Sequence, residues 1–136
     1  MRLTSLADYA VVMMAAAARR DAGARLSATL LADETGIPLP TAQKLTARLA
    51  AAGLLETARG TGGGLKLTRT AAEISLADII EAVEGPIQMT SCVDAERHDC
   101  ALEQACQVRP HMGVVNGAVR GALASVSLTQ LAETRP

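Results

Sequence analysis

The chain has 136 residues, a formal net charge of −1, no Trp and no Phe, and Tyr9 is its one aromatic side chain. That length suits one domain, or a domain with one appended element, whose interior Ala, Leu and Val must fill by close helix packing rather than in a β-sandwich. The lack of stacking platforms argues against single-stranded nucleic acid or RNA as ligand.

Charge is unevenly divided. Residues 1–72 hold nine Lys/Arg against five Asp/Glu, and residues 73–136 hold four against nine. This predicts a basic module over 1–72 joined to an acidic one over 73–136. The apolar run Ala10–Ala18 is too short to span a bilayer. Three cysteines, an odd number, with no secretory leader argue against a disulfide framework, so the cytoplasm is the expected compartment with no membrane partner.

In chain order, Ser5 to Arg20 reads as a helix, with Ser5 as cap and Asp8 three residues on in the manner of a capping box. Ser27 starts a short helix, about Ala28–Thr35, which stops at Gly36. Pro40 suits the first residue of a third helix reaching about Ala52, closed by Gly53. These two helices outline a helix-turn-helix. Ala42, Leu45, Leu49 and Ala52 share an inward face. Thr41, Lys44 and Arg48, with Gln43 beside them, form a donor-rich side without an acid, suited to phosphates and to guanine or adenine edges.

Leu54–Ala58 and Leu65–Thr68 read as short strands around Arg59-Gly60-Thr61-Gly62-Gly63-Gly64. A phosphate-binding loop would need a Gly-Lys-Ser/Thr ending that opens a helix, so these glycines suit a hairpin instead. A helix-turn-helix followed by a hairpin tipped by Arg59 is a winged helix, and that arginine can enter a minor groove. The expected fold class is therefore mainly α with a small β-hairpin wing.

Ser75 and Asp78 form a second capping-box pattern, opening a helix that Gly85-Pro86 ends. A polar loop follows, from about Gln88 to Arg109, then a long helix, about His111–Ser125, and a final turn, Leu128–Ala132. Met112, Val115, Val119, Ala122 and Val126 line one stripe of the long helix. Gly113, Gly117, Gly121 and Ser125 line another, which points to close approach of another helix, from a two-fold partner or from the same chain.

The loop holds Cys92, Cys100 and Cys106 as C-x7-C-x5-C, together with Asp94, Glu96, His98, Asp99 and Glu103. Structural free cysteines usually sit singly on apolar faces. Three in one polar segment suggest a metal or cluster, with a thiol redox switch or no role as the other readings. The spacing matches neither zinc ribbons nor ferredoxins. No nucleotide, flavin or catalytic-triad signature is present, so an enzyme is not expected. A zinc-stabilised interaction module remains a separate class.

Taken together, Met1-Arg2-Leu3-Thr4-Ser5 with Asp8-Tyr9-Ala10, the loop Arg59 to Gly64, and the run Ile74–Ile87 ahead of the three cysteines resemble the IscR/NsrR superfamily of bacterial regulators over nearly the whole chain. Residues 7–12, Glu84-Gly85-Pro86-Ile87 and the stretch from Asn116 to Leu123 are most similar to regulators of SUF-type iron–sulfur assembly genes. The resemblance implies a homodimer crossing on the long C-terminal helix and binding a double-stranded DNA operator. It implies contacts from Thr41, Gln43, Lys44 and Arg59, and a 4Fe–4S, or else a 2Fe–2S, cluster on the three cysteines. A nitric oxide- or redox-responsive repressor of the NsrR kind is the alternative function.

Two positions depart from the family pattern. Pro40 stands where a small hydroxylic residue is common. Arg109 stands where IscR proteins carry a ligating histidine, and a guanidinium that stays protonated cannot bind iron. NsrR-like relatives use an acidic residue near the start of the first helix, donated by the other subunit. Asp8 holds that position, with His111 and His98 as the other candidate ligands.

Overall fold

The computed structural model describes residues 1–21, 24–57 and 64–134. Six helices, an antiparallel strand pair and two short 3-10 turns occupy these residues. None of the described helices is long and apolar enough to cross a membrane.

Helix α1 (Ser5–Ala18) is capped by Thr4, not by Ser5 as expected. Thr4 keeps an extended backbone, and its hydroxyl accepts the Ala7 N–H at 3.1 Å. Ser5 is already helical, so its hydroxyl is one residue too late to cap. Ala7, Ala10, Met13, Met14 and Ala15–Ala17 are buried along α1. Small alanines let neighbouring helices approach closely, and the flexible methionines fill the space that aromatic rings would otherwise take.

Ser27 caps α2 (Ala28–Thr35), and Gly36 ends it at φ +81°. The next helix, α3 (Leu39–Ala51), begins one residue before Pro40. Its end is a Schellman motif: Leu54 N–H donates to Leu49 C=O at 2.9 Å and Gly53 N–H to Ala50 C=O at 3.0 Å. Leu49 and Leu54 are both buried, which supplies the apolar contact that accompanies this motif. Ala42, Leu45 and Leu49 face inward as predicted, whereas Ala52 lies beyond the helix and is exposed.

Strands β1 (Leu55–Thr57) and β2 (Leu65–Leu67) pair in antiparallel register, Leu55 opposite Leu67. The predicted tip of this wing, Arg59 included, lies outside the described residues. A third segment joins at the loop-side end of the hairpin, where Leu65 N–H donates to Leu26 C=O at 2.7 Å.

Ser75 and Asp78 form the predicted capping box of α4 (Leu76–Glu84), which Gly85 ends. Helix α5 (Arg109–Ala124) starts two residues earlier than expected, and Asn116 is its one buried residue. Ser127 and Gln130 make a further capping box for α6 (Leu128–Ala132). Backbone bonds from Leu76 to Val126 and from Leu128 to Ile74, both 2.8 Å, stitch α6 to the start of α4. Leu128 is thereby buried in the same core as Met13, Leu31, Leu45 and Leu55. The described fold is a winged helix whose C-terminal turn returns to α1.

Gly64 is the residue that lets the Leu26 segment approach the start of β2. A Cβ there would stand 2.7 Å from the Leu26 carbonyl oxygen, which is fixed backbone. Gly64→Ala should therefore destabilise the fold by about 1–3 kcal/mol. Urea unfolding checks this, and an unchanged midpoint would contradict it.

Candidate functional site

The amino-terminal half of α3 presents a donor surface. Gln43 and Lys44 are exposed and Thr41 is half-buried. None of the three side chains makes a hydrogen bond or ion pair among the described residues. The inward anchors Ala42, Leu45 and Leu49 hold α3 so that these donors face outward. Arg48 departs from the expectation of a free donor one turn further on. It is half-buried, and its Nη1 donates to the Val83 carbonyl of α4 at 2.9 Å. Arg25, for which the sequence held no signal, is an exposed cation next to Leu26, and the Leu26–Leu65 bridge brings it to the loop-side end of the hairpin.

The cysteines lie in a segment with no interior. No residue from 84 to 115 is buried. Leu102 and Val108 are 68% and 58% exposed. Cys92, Cys100 and Cys106 are free, half-buried thiols. Cys92 sits in a 3-10 turn with its Sγ 3.0 Å from the Thr90 hydroxyl. Among the described residues no three of His, Cys, Asp and Glu converge. The donor set itself fits a soft metal centre, since free thiols become thiolates that suit iron–sulfur clusters or zinc.

One candidate ligand, His98, is otherwise engaged. Glu103, with 16% of its side chain exposed, takes Arg109 at 3.1 Å and His98 at 2.6 Å. Arg109 thus serves as an ion-pair partner at the position where the sequence resemblance led to the expectation of a ligating histidine. His111 is exposed in the first turn of α5. Asp8 is exposed in the first turn of α1, and its carboxylate has no hydrogen bond or ion pair among the described residues. The expected capping role is absent because, with Thr4 as the cap, the third helical position is Ala7 and Asp8 comes one residue too late. Asp8 borders a recess of about 210 Å³ shared with Tyr9, Val12, Thr35 and Pro38, at the turn between α2 and α3.

The entry to the loop is tied down. The Asn116 carboxamide accepts the Met89 N–H at 2.7 Å and donates to the Ile87 carbonyl at 2.9 Å. Glu81 accepts the Ile87 N–H at 3.0 Å and pairs with Arg120 at 2.6 Å. A polar residue on the inner face of an otherwise uncovered helix was the available signal for Asn116, and sequence reasoning did not use it.

With this geometry established, comparison with known proteins is decisive for the family. A family profile described as Rrf2, iron-dependent transcriptional regulator, matches residues 3–134. The chain belongs to the Rrf2 family. It is 32% identical to the transcriptional repressor NsrR of Streptomyces coelicolor over 96% of this chain and 88% of that one. It is also 32% identical to the regulator IscR of Photorhabdus laumondii, over 96% of this chain and 79% of that one. The solved structure of CymR, the global cysteine regulator of Bacillus subtilis, superposes with a TM-score of 0.73 at 24% identity, covering 97% of this chain and 96% of that one, which supports the fold. Rrf2 proteins are DNA-binding transcriptional regulators, not enzymes.

The Glu81–Arg120 pair gives this Rrf2 chain a pH signature. The Arg120 hydrogen bond holds the Glu81 carboxyl below the usual carboxylate range, against the opposing effect of partial burial. A group more acidic in the folded state stabilises fully above its unfolded pKa, and that contribution is lost as pH falls through the depressed value. Glu81→Gln should therefore lower stability at neutral pH by about 1 kcal/mol or less, since Arg120 is half exposed to screening solvent. The difference from the parent should close in acid. Thermal unfolding across pH checks this, and a constant difference would be contrary.

Proposed function

We propose that this Rrf2 protein is a homodimeric regulator that holds an iron–sulfur cluster on Cys92, Cys100 and Cys106 and controls iron–sulfur assembly genes of the SUF type. The observation that carries the reading is the conjunction of three free thiols with a 32-residue stretch, 84–115, that buries nothing. Such a segment has no apolar core, and ligation supplies a substitute for one. When bound, the cluster supplies a redox- and ligand-sensitive centre whose presence depends on iron supply. The names of the IscR and NsrR relatives and the resemblance of residues 74–87 and 116–123 support a regulator of this class.

Asp8 is the proposed fourth ligand, donated across the dimer. Its carboxylate is unpaired among the described residues, and it stands beside the helix-turn-helix turn. Arg109, already paired with Glu103, favours the second reading, a nitric oxide- or redox-responsive repressor of the NsrR kind, because it leaves the weaker oxygen donor as the point of entry for an effector. On the DNA side, Thr41, Gln43 and Lys44 of α3 and Arg59 of the wing make the operator contacts.

Anaerobic purification with visible spectroscopy and iron and sulfide analysis tests the cluster. A coloured protein with stoichiometric iron and sulfide is expected. Asp8→Asn should retain iron while losing it faster to chelator, and any one Cys→Ser change should abolish stable binding. A colourless zinc protein would overturn the reading, in favour of a zinc-stabilised module.

The dimer has its own test. A Cβ added at Gly113, Gly117 or Gly121 meets nothing within 4 Å among the described residues, so close packing among them does not account for the stripe. Within one chain, Gly117→Ala should stabilise α5 by about 1 kcal/mol. Across a subunit crossing, the same methyl should shift the equilibrium toward monomer. Sedimentation velocity distinguishes the two, and a monomeric parent protein would remove the crossing altogether.

A further inference from the structure

The last turn of α4 is where four parts of the molecule meet. Its orphan carbonyls have no helical donors and need partners from elsewhere. The Ile87 N–H that would reach Val83 C=O in a continued helix goes instead to the Glu81 carboxylate. Arg48 of α3 fills that place, donating to Val83 C=O across 35 positions of sequence. A guanidinium at a helix carboxyl end also meets the negative pole of the helix dipole. Within the same turn, Glu84 accepts the hydroxyl of Thr4, the residue that caps α1. Glu81 meanwhile holds Ile87 and Arg120. Beyond Gly85 begins the uncored stretch that carries the cysteines.

We propose that Arg48 is a positioning residue: it fixes the recognition helix to the last turn of α4, at the entry to the cysteine loop, and does not itself contact DNA. Lys44, one turn earlier on the same side, is exposed and unpaired among the described residues, and it makes the phosphate contact that Arg48 is not free to make. Movement of residues 85–89 then reaches α3 through the last turn of α4, where the Arg48 bond adds to the packing between the two helices. This part rests on the proposed role of the loop as a sensor, whereas the assignment of Arg48 against DNA contact does not.

A phosphate contact and a positioning contact differ in salt dependence. Removing a phosphate-bound cation reduces the slope of log affinity against log salt by about one. Operator binding should be measured over a salt series for the parent, Lys44→Ala, Arg48→Ala and Arg48→Gln, on a duplex selected from a random pool. Each protein is assayed as purified anaerobically and after chelator treatment. Lys44→Ala should flatten the slope. Arg48→Ala should weaken binding roughly tenfold, as expected for losing a charge-assisted hydrogen bond, with the parent's slope unchanged. Hydrogen exchange at residues 84–89 should rise in the same variant. Arg48→Gln removes the charge with less loss of volume, and its slope and exchange decide the same question if the alanine variant does not fold.

A slope reduced by about one in the Arg48 variants, with exchange at 84–89 as in the parent, would overturn the assignment. For coupling, the ratio of affinities between the two protein forms should fall toward one in the Arg48 variants. A ratio equal to the parent's would overturn that part. If the parent itself shows no difference between forms, the sensing function fails, and slope and exchange still decide the role of Arg48.

Discussion

Everything in this fold leans on one small-residue face of α1. Ala7, Ala10 and Ala15–Ala17, with Met13 and Met14, are almost wholly removed from solvent. Without Phe or Trp the core cannot be built from a few large rings, so it is built from short distances between helices. Helices α2, α4 and α6 all pack on α1, and α6 is held there by the two backbone bonds around Ile74 and Leu128 and by Arg19, whose Nε donates to the Ala132 carbonyl at 2.9 Å. The consequence is mechanical. Helix α3, through α2 and α4, and the segment that leads into the cysteines are referred to one common support, rather than to two separate cores.

Helix ends account for much of what is legible in the sequence. The hydroxyls of Ser27, Ser75 and Ser127 and the glycines 36, 53 and 85 act on neighbours three or four residues away, so a linear sequence contains their effect. The cap of α1 falls one residue from its expected place because Thr4 and Ser5 are both able to cap, and only the backbone geometry chooses between them. The role of Arg48 was not legible. Its position on α3, four residues after Lys44, puts it with the outward donors, and its partner is a main-chain carbonyl in a helix distant in sequence. No residue type at position 83 could have announced that bond.

The stripe pattern of α5 was legible in one sense and not in another. Its periodicity correctly gave a long helix, yet Val115 is 43% exposed and Asn116 is its one buried residue. A hydrophobic pattern states that a face can be covered without stating by what. Here the chain's own elements leave the glycine positions open, and the polar anchor Asn116 does the packing that an apolar residue was expected to do.

Asp8 and the cysteine segment share one physical condition, which is incompleteness within a single chain. An exposed carboxylate in the first turn of a helix is favoured by the helix dipole, so Asp8 has a structural reason to be acidic whether or not it binds anything. That reason does not extend to its position beside the turn between α2 and α3, where a side chain drawn outward would bear on the helix-turn-helix itself. The cysteine segment is incomplete in the opposite way: it has thiols and tethers at both ends, through Asn116 and Glu81 on one side and Arg109 with Glu103 on the other, but no interior. Tethered ends lower the entropic cost of ordering what lies between them. A loop anchored at both ends and hollow between them is poised to be ordered by a few strong bonds, and its ordering would be felt first at its anchors. One of those anchors is the turn of α4 to which Arg48 of α3 is bonded.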